Sequence, residues 1–385
     1  MIYFDNAATT YPKPDSVRRA VMEAMVKCGG NPGRSGHNMS MASASAVYSV
    51  REKAAALFGA LPENVIFTAN CTQSVNMAVK GLAETALREG KPFHVIISSL
   101  EHNSVLRPVH ELTKRGLTYS IAEVSPDDEV TLHNIESLVK PSTKAIVCTL
   151  GSNVTGQLMP FGRIGELCRR KNLCFIGDGA QVCGVVPVDM ERDGINILCM
   201  PGHKGLYGIS GTGLLITDGK FPLYHIIEGG TGTTSLEAEQ TPFLPEGLES
   251  GTVNTVGIVS VGAGIDFLKS MGQKRIHGYE EHLCRRFISE LEKIGGVRIY
   301  RRERCSYLPI VLFNVEGRSP EETAAYLSDS GFALRGGLHC SGLAHRTAGT
   351  LPDGGVRFAP SVFNTEAQVI ALAKTVKRFA ESSAE

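Results

Sequence analysis

Lys204 sits in Pro201-Gly202-His203-Lys204-Gly205, just after the apolar run Ile195-Asn196-Ile197-Leu198-Cys199-Met200. A strand ending in a glycine-flanked lysine brings an amine to the mouth of a site, not to a solvated face. Asp178, in Asp178-Gly179-Ala180-Gln181, follows a second apolar run, Leu173-Cys174-Phe175-Ile176. An amine that can form a Schiff base and a carboxylate that can hold a protonated ring nitrogen are the two groups pyridoxal phosphate most needs from a protein. A lone lysine after a strand is usually an exposed charge. The pairing with Asp178 is what points to chemistry.

Other side chains fall at similar junctions. Thr68-Ala69-Asn70-Cys71-Thr72 joins a strand to a helix, whose free N–H groups and positive dipole end can hold a phosphate. Taken alone, Thr72 would be only a helix cap. This junction lacks the glycines of dinucleotide and Walker loops. His102, in Glu101-His102-Asn103-Ser104, could stack on a planar cofactor and exchange protons. Asn153, in Ser152-Asn153-Val154-Thr155-Gly156, could bond to cofactor or substrate, or shape a turn. Gln181 could bond to the cofactor's phenolic oxygen. Cys340 lies in the polar, glycine-flanked Arg335–Gly342 loop, where Arg335 and His339 would favour its thiolate. Arg357 could clamp an α-carboxylate through both its nitrogens.

These groups need a frame. Short β-branched runs at 65–68, 95–98, 145–149, 174–177, 197–200 and 213–217 alternate with helical patterns near 72–88, 104–114 and 163–170. Strands buried on both faces and separated by helices predict an α/β fold around a mainly parallel sheet. Ligands of such sheets bind at the strands' carboxyl ends, where each candidate falls. Beyond Val256 the pattern changes to helices near 259–269, 279–294, 320–328 and 365–379 with strands near 297–300 and 308–313. This predicts a large domain over 15–256 and a smaller α+β domain over 1–14 and 257–385. Residues 381–385 read as a frayed tail.

Composition narrows the rest. Of 385 residues, 39 are Lys or Arg and 39 Asp or Glu, so no net field draws nucleic acid or an anionic membrane. No apolar stretch approaches the roughly 20 residues a membrane span needs. The N-terminus lacks a secretory pattern, so a cytoplasmic location is expected. Ten cysteines are scattered with no CxxC and no Cys/His ligand spacing. Cys148, Cys168, Cys174, Cys183 and Cys199 lie mostly in or beside apolar runs and read as buried hydrophobes in a reducing compartment, and no metal site is expected.

Together the motifs resemble the pyridoxal phosphate cysteine desulfurases and selenocysteine lyases of the class V aminotransferase group. The resemblance runs from Tyr3–Thr10 with Pro12-Lys13-Pro14, through Asn31–His37, Phe67–Asn76, Glu101–Asn103, Asn153–Gly156, Asp178–Gln181 and Gly202–Lys204, to Glu249–Thr255, Arg335–Cys340 and Arg357. It implies a fold-type I homodimer with its site at the subunit interface. Lys204 would carry the cofactor and then act at the substrate Cα, and His102 would stack on the ring. Asp178 and Gln181 would tune the ring, and Asn153 would contact cofactor and substrate. Cys71, Thr72, His203 and Thr252 of the other subunit would hold the phosphate. Arg357 and Asn153 would orient the substrate carboxylate. The implied reaction converts L-cysteine to L-alanine and leaves sulfur on Cys340 as a persulfide, for a possible acceptor protein. The short Cys340 loop resembles the group II, sulfur-mobilisation type.

Three residues depart from the family pattern. Pro201 replaces a serine that relatives use toward phosphate. Gly205 is an extra residue before Leu206-Tyr207-Gly208. Ser341 stands where alanine is common. Alternatives to the desulfurase reading are a selenocysteine lyase acting on L-selenocysteine, another reaction of the class V fold, and a non-catalytic protein that binds a sulfur carrier.

Overall fold

The structure is a computed structural model that describes residues 1–33 and 36–382. Residues 34, 35 and 383–385 lie outside the described residues, and with them part of the Asn31–His37 motif and most of the expected tail. The chain opens with β1 (Ile2–Tyr3), α1 (Asp15–Lys27), α2 (Asn38–Phe58), β2 (Val65–Thr68), α3 (Cys71–Arg88), β3 (His94–Ser98), α4 (Asn103–Leu112), β4 (Thr118–Ala122) and α5 (Asp128–Ser137). The middle holds β5 (Thr143–Thr149), α6 (Phe161–Lys171), β6 (Cys174–Asp178), α7 (Met190–Asp193), β7 (Ile197–Pro201), β8 (Gly213–Thr217) and α8 (Thr255–Met271). The last part comprises α9 (Gln273–Leu291), β9 (Val297–Ile299), β10 (Val311–Val315), α10 (Pro320–Asp329), β11 (Phe332–Ala333), α11 (Gly342–Ala348), β12 (Val356–Phe358) and α12 (Glu366–Glu381).

Seven strands form one sheet in the order β2-β8-β7-β6-β5-β3-β4. The run from β7 to β4 is parallel, whereas β8 is antiparallel to both neighbours. This matches the mainly parallel α/β expectation. Apart from the edge strand β4, the strands are buried along nearly their whole length, with Ile97, Val147, Phe175 and Leu198 at 0% exposure. Burial on both faces is why they read as unbroken apolar runs. Register then aligns their ends, because Thr149 pairs with Asp178, Asp178 with Cys199, and Gly213 with both Pro201 and Thr68. Asp178 at the end of β6, Cys71 at the start of α3 and the loops carrying His102, Asn153 and Lys204 therefore lie at one edge of the sheet.

A second core gathers Leu283, Phe287, Phe313, Phe358 and Val376 around the antiparallel sheet β12-β10-β9. Phe4 belongs to this core, and β1 pairs with β11, so the N-terminal segment crosses to the C-terminal half. Reciprocal caps fix α10 and α12: Ser319 with Glu322, and Thr365 with Gln368. Helix α8, placed by sequence with the smaller unit, instead buries Val261, Ile265 and Leu268 in the core of the large sheet. The strand expected from Leu308 begins at Val311, because Pro309 has no N–H for a ladder. Helices α1, α2 and α5 and strand β4 escape the periodicity reading; α2, rich in Ala and Ser, buries mainly small residues, so its apolar stripe is faint.

Glu280 of α9 is 5% exposed, and its Oε1 accepts from the Val362 N–H at 3.1 Å. Burial pushes its carboxyl up to about 8. The folded state therefore binds this proton more tightly than the unfolded chain does. The stabilisation is complete below the ordinary carboxylate range and is lost as pH rises through about 8. Glu280→Gln should flatten that decline, by on the order of 2 kcal/mol across the interval. Urea unfolding of both proteins at pH 5 and pH 8.5 checks this, and equal slopes would refute it.

Candidate active site

Lys204 follows β7 in a tight turn, with the Tyr207 N–H donating to the Lys204 carbonyl at 2.8 Å and the Gly208 N–H to the Gly202 carbonyl at 2.8 Å. Burial lowers its amine to about 8, helped by the positive charge of Arg357 and opposed by Cys71, Asp178 and Asp5. An amine in that range is readily deprotonated near neutrality, as nucleophilic and proton-transfer lysines require.

Gly205, unexplained by sequence, has a structural reason. A Cβ there would lie 2.3 Å from the Cys183 carbonyl oxygen, and one on Gly184 would lie 2.2 Å from the Gly205 carbonyl. The two backbones meet closely behind Lys204, which leaves room only for glycine. Gly205→Ala should cost about 1–3 kcal/mol through overpacking. Denaturant midpoints check this; an unchanged midpoint would show that the turn yields.

The N-terminal segment clamps the same turn. The His203 carbonyl accepts from Lys13 Nζ at 2.7 Å, Thr9 Oγ1 at 3.1 Å, and the Thr10 N–H and Oγ1, each at 3.2 Å. Burial lowers Lys13 to about 8. The His203 ring bonds Thr9 Oγ1 through Nδ1 at 3.0 Å, and burial, with the charges of Lys204 and Lys13, brings it down to about 4. His203 is therefore a neutral ring near neutral pH. Gln181 Nε2 donates to the Ala7 carbonyl at 2.9 Å, a second tie to this segment.

Asp178 closes β6 with a carboxylate that accepts from the Ala180 N–H at 2.9 Å. Ser104 Oγ lies 3.5 Å from its other oxygen. Cys71 Sγ donates to Asp178 Oδ1 at 3.6 Å, and burial raises this thiol well above its usual range. The sulfur of Cys71 thus faces the carboxylate. What Cys71 and the exposed Thr72 offer an anion is the first turn of α3, capped by the Asn70 side chain on the Gln73 N–H at 2.9 Å. His102 caps α4, its Nδ1 accepting from the Ser104 N–H at 3.0 Å, which puts the ring proton on Nε2. Burial lowers its pKa, so the ring is neutral.

Arg357 is 1% exposed and already engaged. One guanidinium nitrogen meets Asp5 Oδ1 at 2.7 Å, another donates to the Asn153 carbonyl at 2.9 Å, and Nε is buried without a partner. Asp5 is thus a site residue that sequence reasoning left without a role. Its place in the Tyr3–Thr10 motif was the available signal.

Cys340 is exposed, with Arg335 Nη2 at 3.8 Å from Sγ. His339 turns inward instead. Its Nε2 meets the Arg335 carbonyl at 3.0 Å and its Nδ1 meets His345 Nε2 at 3.2 Å. Burial and the charge of Arg357 bring it down to about 2, so it is neutral and lends Cys340 no positive charge. The expectation fails for His339, while Arg335 does stand beside the thiol. His339 and Cys340 both have positive φ, +50° and +57°, a left-handed pair without glycine. Asn153 holds the loop by donating to the His339 carbonyl at 2.9 Å and accepting from Ser341 Oγ at 2.7 Å. Ser341, where the family pattern has alanine, therefore ties the Cys340 loop to Asn153.

Thr252 is exposed, accepting from Asn31 Nδ2 at 3.2 Å in a groove that shares no lining residue with the cavity beside Lys204. Its loop is fastened by Glu249, which forms a two-pronged ion pair with Arg51 at 2.8 Å.

An amine, a carboxylate and a neutral imidazole gathered at the carboxyl ends of a mainly parallel sheet are common to several enzyme groups, and comparison with known proteins narrows the class. The family model for aminotransferase class V matches residues 2–372, and the chain belongs to that family. A probable cysteine desulfurase of Methanothermobacter thermautotrophicus is 28% identical, covering 98% of this chain and 94% of its own. One from Halalkalibacterium halodurans is 27% identical over 99% and 93%. The apo structure of cysteine desulfurase from Thermococcus onnurineus NA1 superimposes with a TM-score of 0.92 at 27% identity, covering 99% and 94% of the two chains. The cysteine desulfurase CsdA of Escherichia coli, in an S-sulfonic acid form, gives 0.88 at 25% identity over 98% and 94%. No helix among the described residues is long and apolar enough to cross a membrane.

Proposed function

We propose that this chain is a pyridoxal phosphate-dependent cysteine desulfurase that converts L-cysteine to L-alanine and receives the sulfur on Cys340. One observation carries the reading. The exposed thiol sits on a loop hydrogen-bonded to Asn153, which is bonded in turn to Arg357. A sulfur acceptor is thereby tied to a carboxylate-binding group.

The residues fit the cofactor. Lys204 offers a desolvated amine, Asp178 a carboxylate for the ring nitrogen, and the first turn of α3 a seat for the phosphate. The neutral His102 would stack on the ring, and Gln181 would face its phenolic oxygen. His203, and Thr252 from a second subunit, would complete the phosphate contacts, which makes a homodimer part of the proposal. Pro201, buried at the end of β7, adds no hydroxyl to them. The exposed position of Thr252 on this chain supports a role across an interface.

When bound, pyridoxal phosphate withdraws electrons from the Cα of the amino acid. The chain's own groups do the rest. Arg357, its Nε still unpaired, would hold the substrate carboxylate together with Asn153. Lys204 would take the Cα proton and later return a proton to carbon. The Cys340 thiolate would attack the substrate sulfur. The Cβ–S bond breaks, an S–S bond forms, and carbon keeps the electron pair, so alanine leaves after protonation. Arg335 Nη2 stands 3.8 Å from the Cys340 sulfur. The persulfide, exposed at the surface, could then pass to an acceptor protein.

Intact-protein and peptide mass spectrometry after incubation with L-cysteine tests the reading. One added sulfur on the Cys340 peptide, with one alanine formed, is the expected result. Alanine formation with sulfur on no cysteine, or no alanine at all, would overturn it.

A further inference from the structure

Away from Lys204, β9 and the segment after it wall a second cavity of about 240 Å³ against Thr155, Gln157 and α11. Arg298, Arg301 and Arg302 line it together with Tyr300 and Tyr307. Among the described residues no aspartate or glutamate lines it, and none of the three arginines has an ion-pair partner. Elsewhere arginines of this chain do find carboxylates, as Arg51 finds Glu249 and Arg286 finds Glu290 and Glu366.

The tyrosines position this charge without neutralising it. Arg298 lies 5.3 Å from the centre of the Tyr300 ring, and Arg301 4.3 Å from that of Tyr307. Arg301 reaches the carbonyls of Leu308 and Ile310 only at 3.5 Å each, the far limit of a hydrogen bond, and its Nε is buried with no partner. A guanidinium N–H withdrawn from water without an acceptor is unfavourable, and three like charges around one cavity add to that. Both terms reverse when an anion enters. Guanidinium forks bind phosphate and carboxylate oxygens in pairs, so a ligand with more than one anionic group engages more than one arginine. The cavity, about 240 Å³, has room for a compact ion between the arginines.

The same wall connects to the Cys340 loop. Arg302 Nη2 donates to the Thr347 carbonyl at 2.6 Å, in the last turn of α11. That cation caps a helix that begins two residues after Cys340. An anion that draws Arg302 toward itself weakens the cap.

We propose that this cavity is a binding site for a compact multivalent oxyanion, a diphosphate or a tricarboxylate, whose occupancy loosens α11 and the Cys340 loop. The proposal does not depend on the reaction assigned to the Lys204 site. Isothermal titration of the pyridoxal phosphate-saturated protein with inorganic pyrophosphate, and separately with citrate, at constant ionic strength tests it. Saturating the protein with cofactor first fills the phosphate seat at α3. At least one probe should bind at a single site tighter than about 1 mM. Arg298→Gln and Arg302→Gln, both at exposed residues and therefore compatible with folding, should each weaken it about tenfold or more. Iodoacetamide labelling of Cys340, followed by peptide mass, should quicken about twofold or more when the site is filled. Absence of saturable binding by both probes, or equal binding by the variants, would overturn the site. An unchanged labelling rate would overturn its coupling to α11.

Discussion

Lys204→Ala should lower alanine formation from cysteine by about a thousandfold, within the range positioned proton-transfer groups contribute. No other amine can substitute in place. Lys13, the other lysine lowered to about 8, is spent on Thr10 Oγ1 and the His203 carbonyl. Two further readouts separate loss of chemistry from loss of fold. Borohydride treatment of the native protein with pyridoxal phosphate should fix the cofactor's mass on the Lys204 peptide, and the variant should carry none. Exchange of the substrate Cα proton with deuterated water should fall in parallel with turnover. A variant that still exchanges that proton at the native rate would remove Lys204 from the proton-transfer role.

Cys340→Ser should abolish persulfide on the chain while the Cα proton still exchanges. The two variants thus divide the reaction at different bonds. Serine keeps the size and the left-handed backbone position but is a poor acceptor of sulfur, so alanine formation should fall by about a hundredfold or more if the thiolate makes the S–S bond. Five buried cysteines offer no relief. Burial raises Cys71, Cys148, Cys174, Cys183 and Cys199 well above the ordinary thiol range, so thiolate is scarce at those positions. Persulfide formed at native yield on another cysteine of the variant would reassign the acceptor. Selenocysteine provides a further contrast, because selenium leaves carbon more readily. A variant that processes selenocysteine normally and cysteine poorly would place this chain among selenocysteine lyases.

Much of the site was legible along the chain for one reason. In a mainly parallel sheet each central strand is buried on both faces, so it appears as a short apolar run, and the residues that follow it emerge at a common edge. That logic places His102, Asn153, Asp178 and Lys204 at strand ends from the sequence alone. The same logic was silent on α2 and α5, where small or weakly patterned residues leave a faint stripe, and it attached α8 to the wrong core.

By itself, then, the sequence determined the sheet, the edge at which chemistry is gathered, and the residue types available there. Tertiary structure alone decided which of those groups are free to act. Arg357 is held by Asp5 across 352 positions, the His203 carbonyl by Lys13 across 190, and Asn153 by Ser341 across 188. Such pairings have no period and no local signal, because they follow from how the N-terminal segment and the Cys340 loop fold back onto the sheet edge. The neutral state of His339 and the lowered amine of Lys204 are likewise effects of burial, which exists only once the chain is packed.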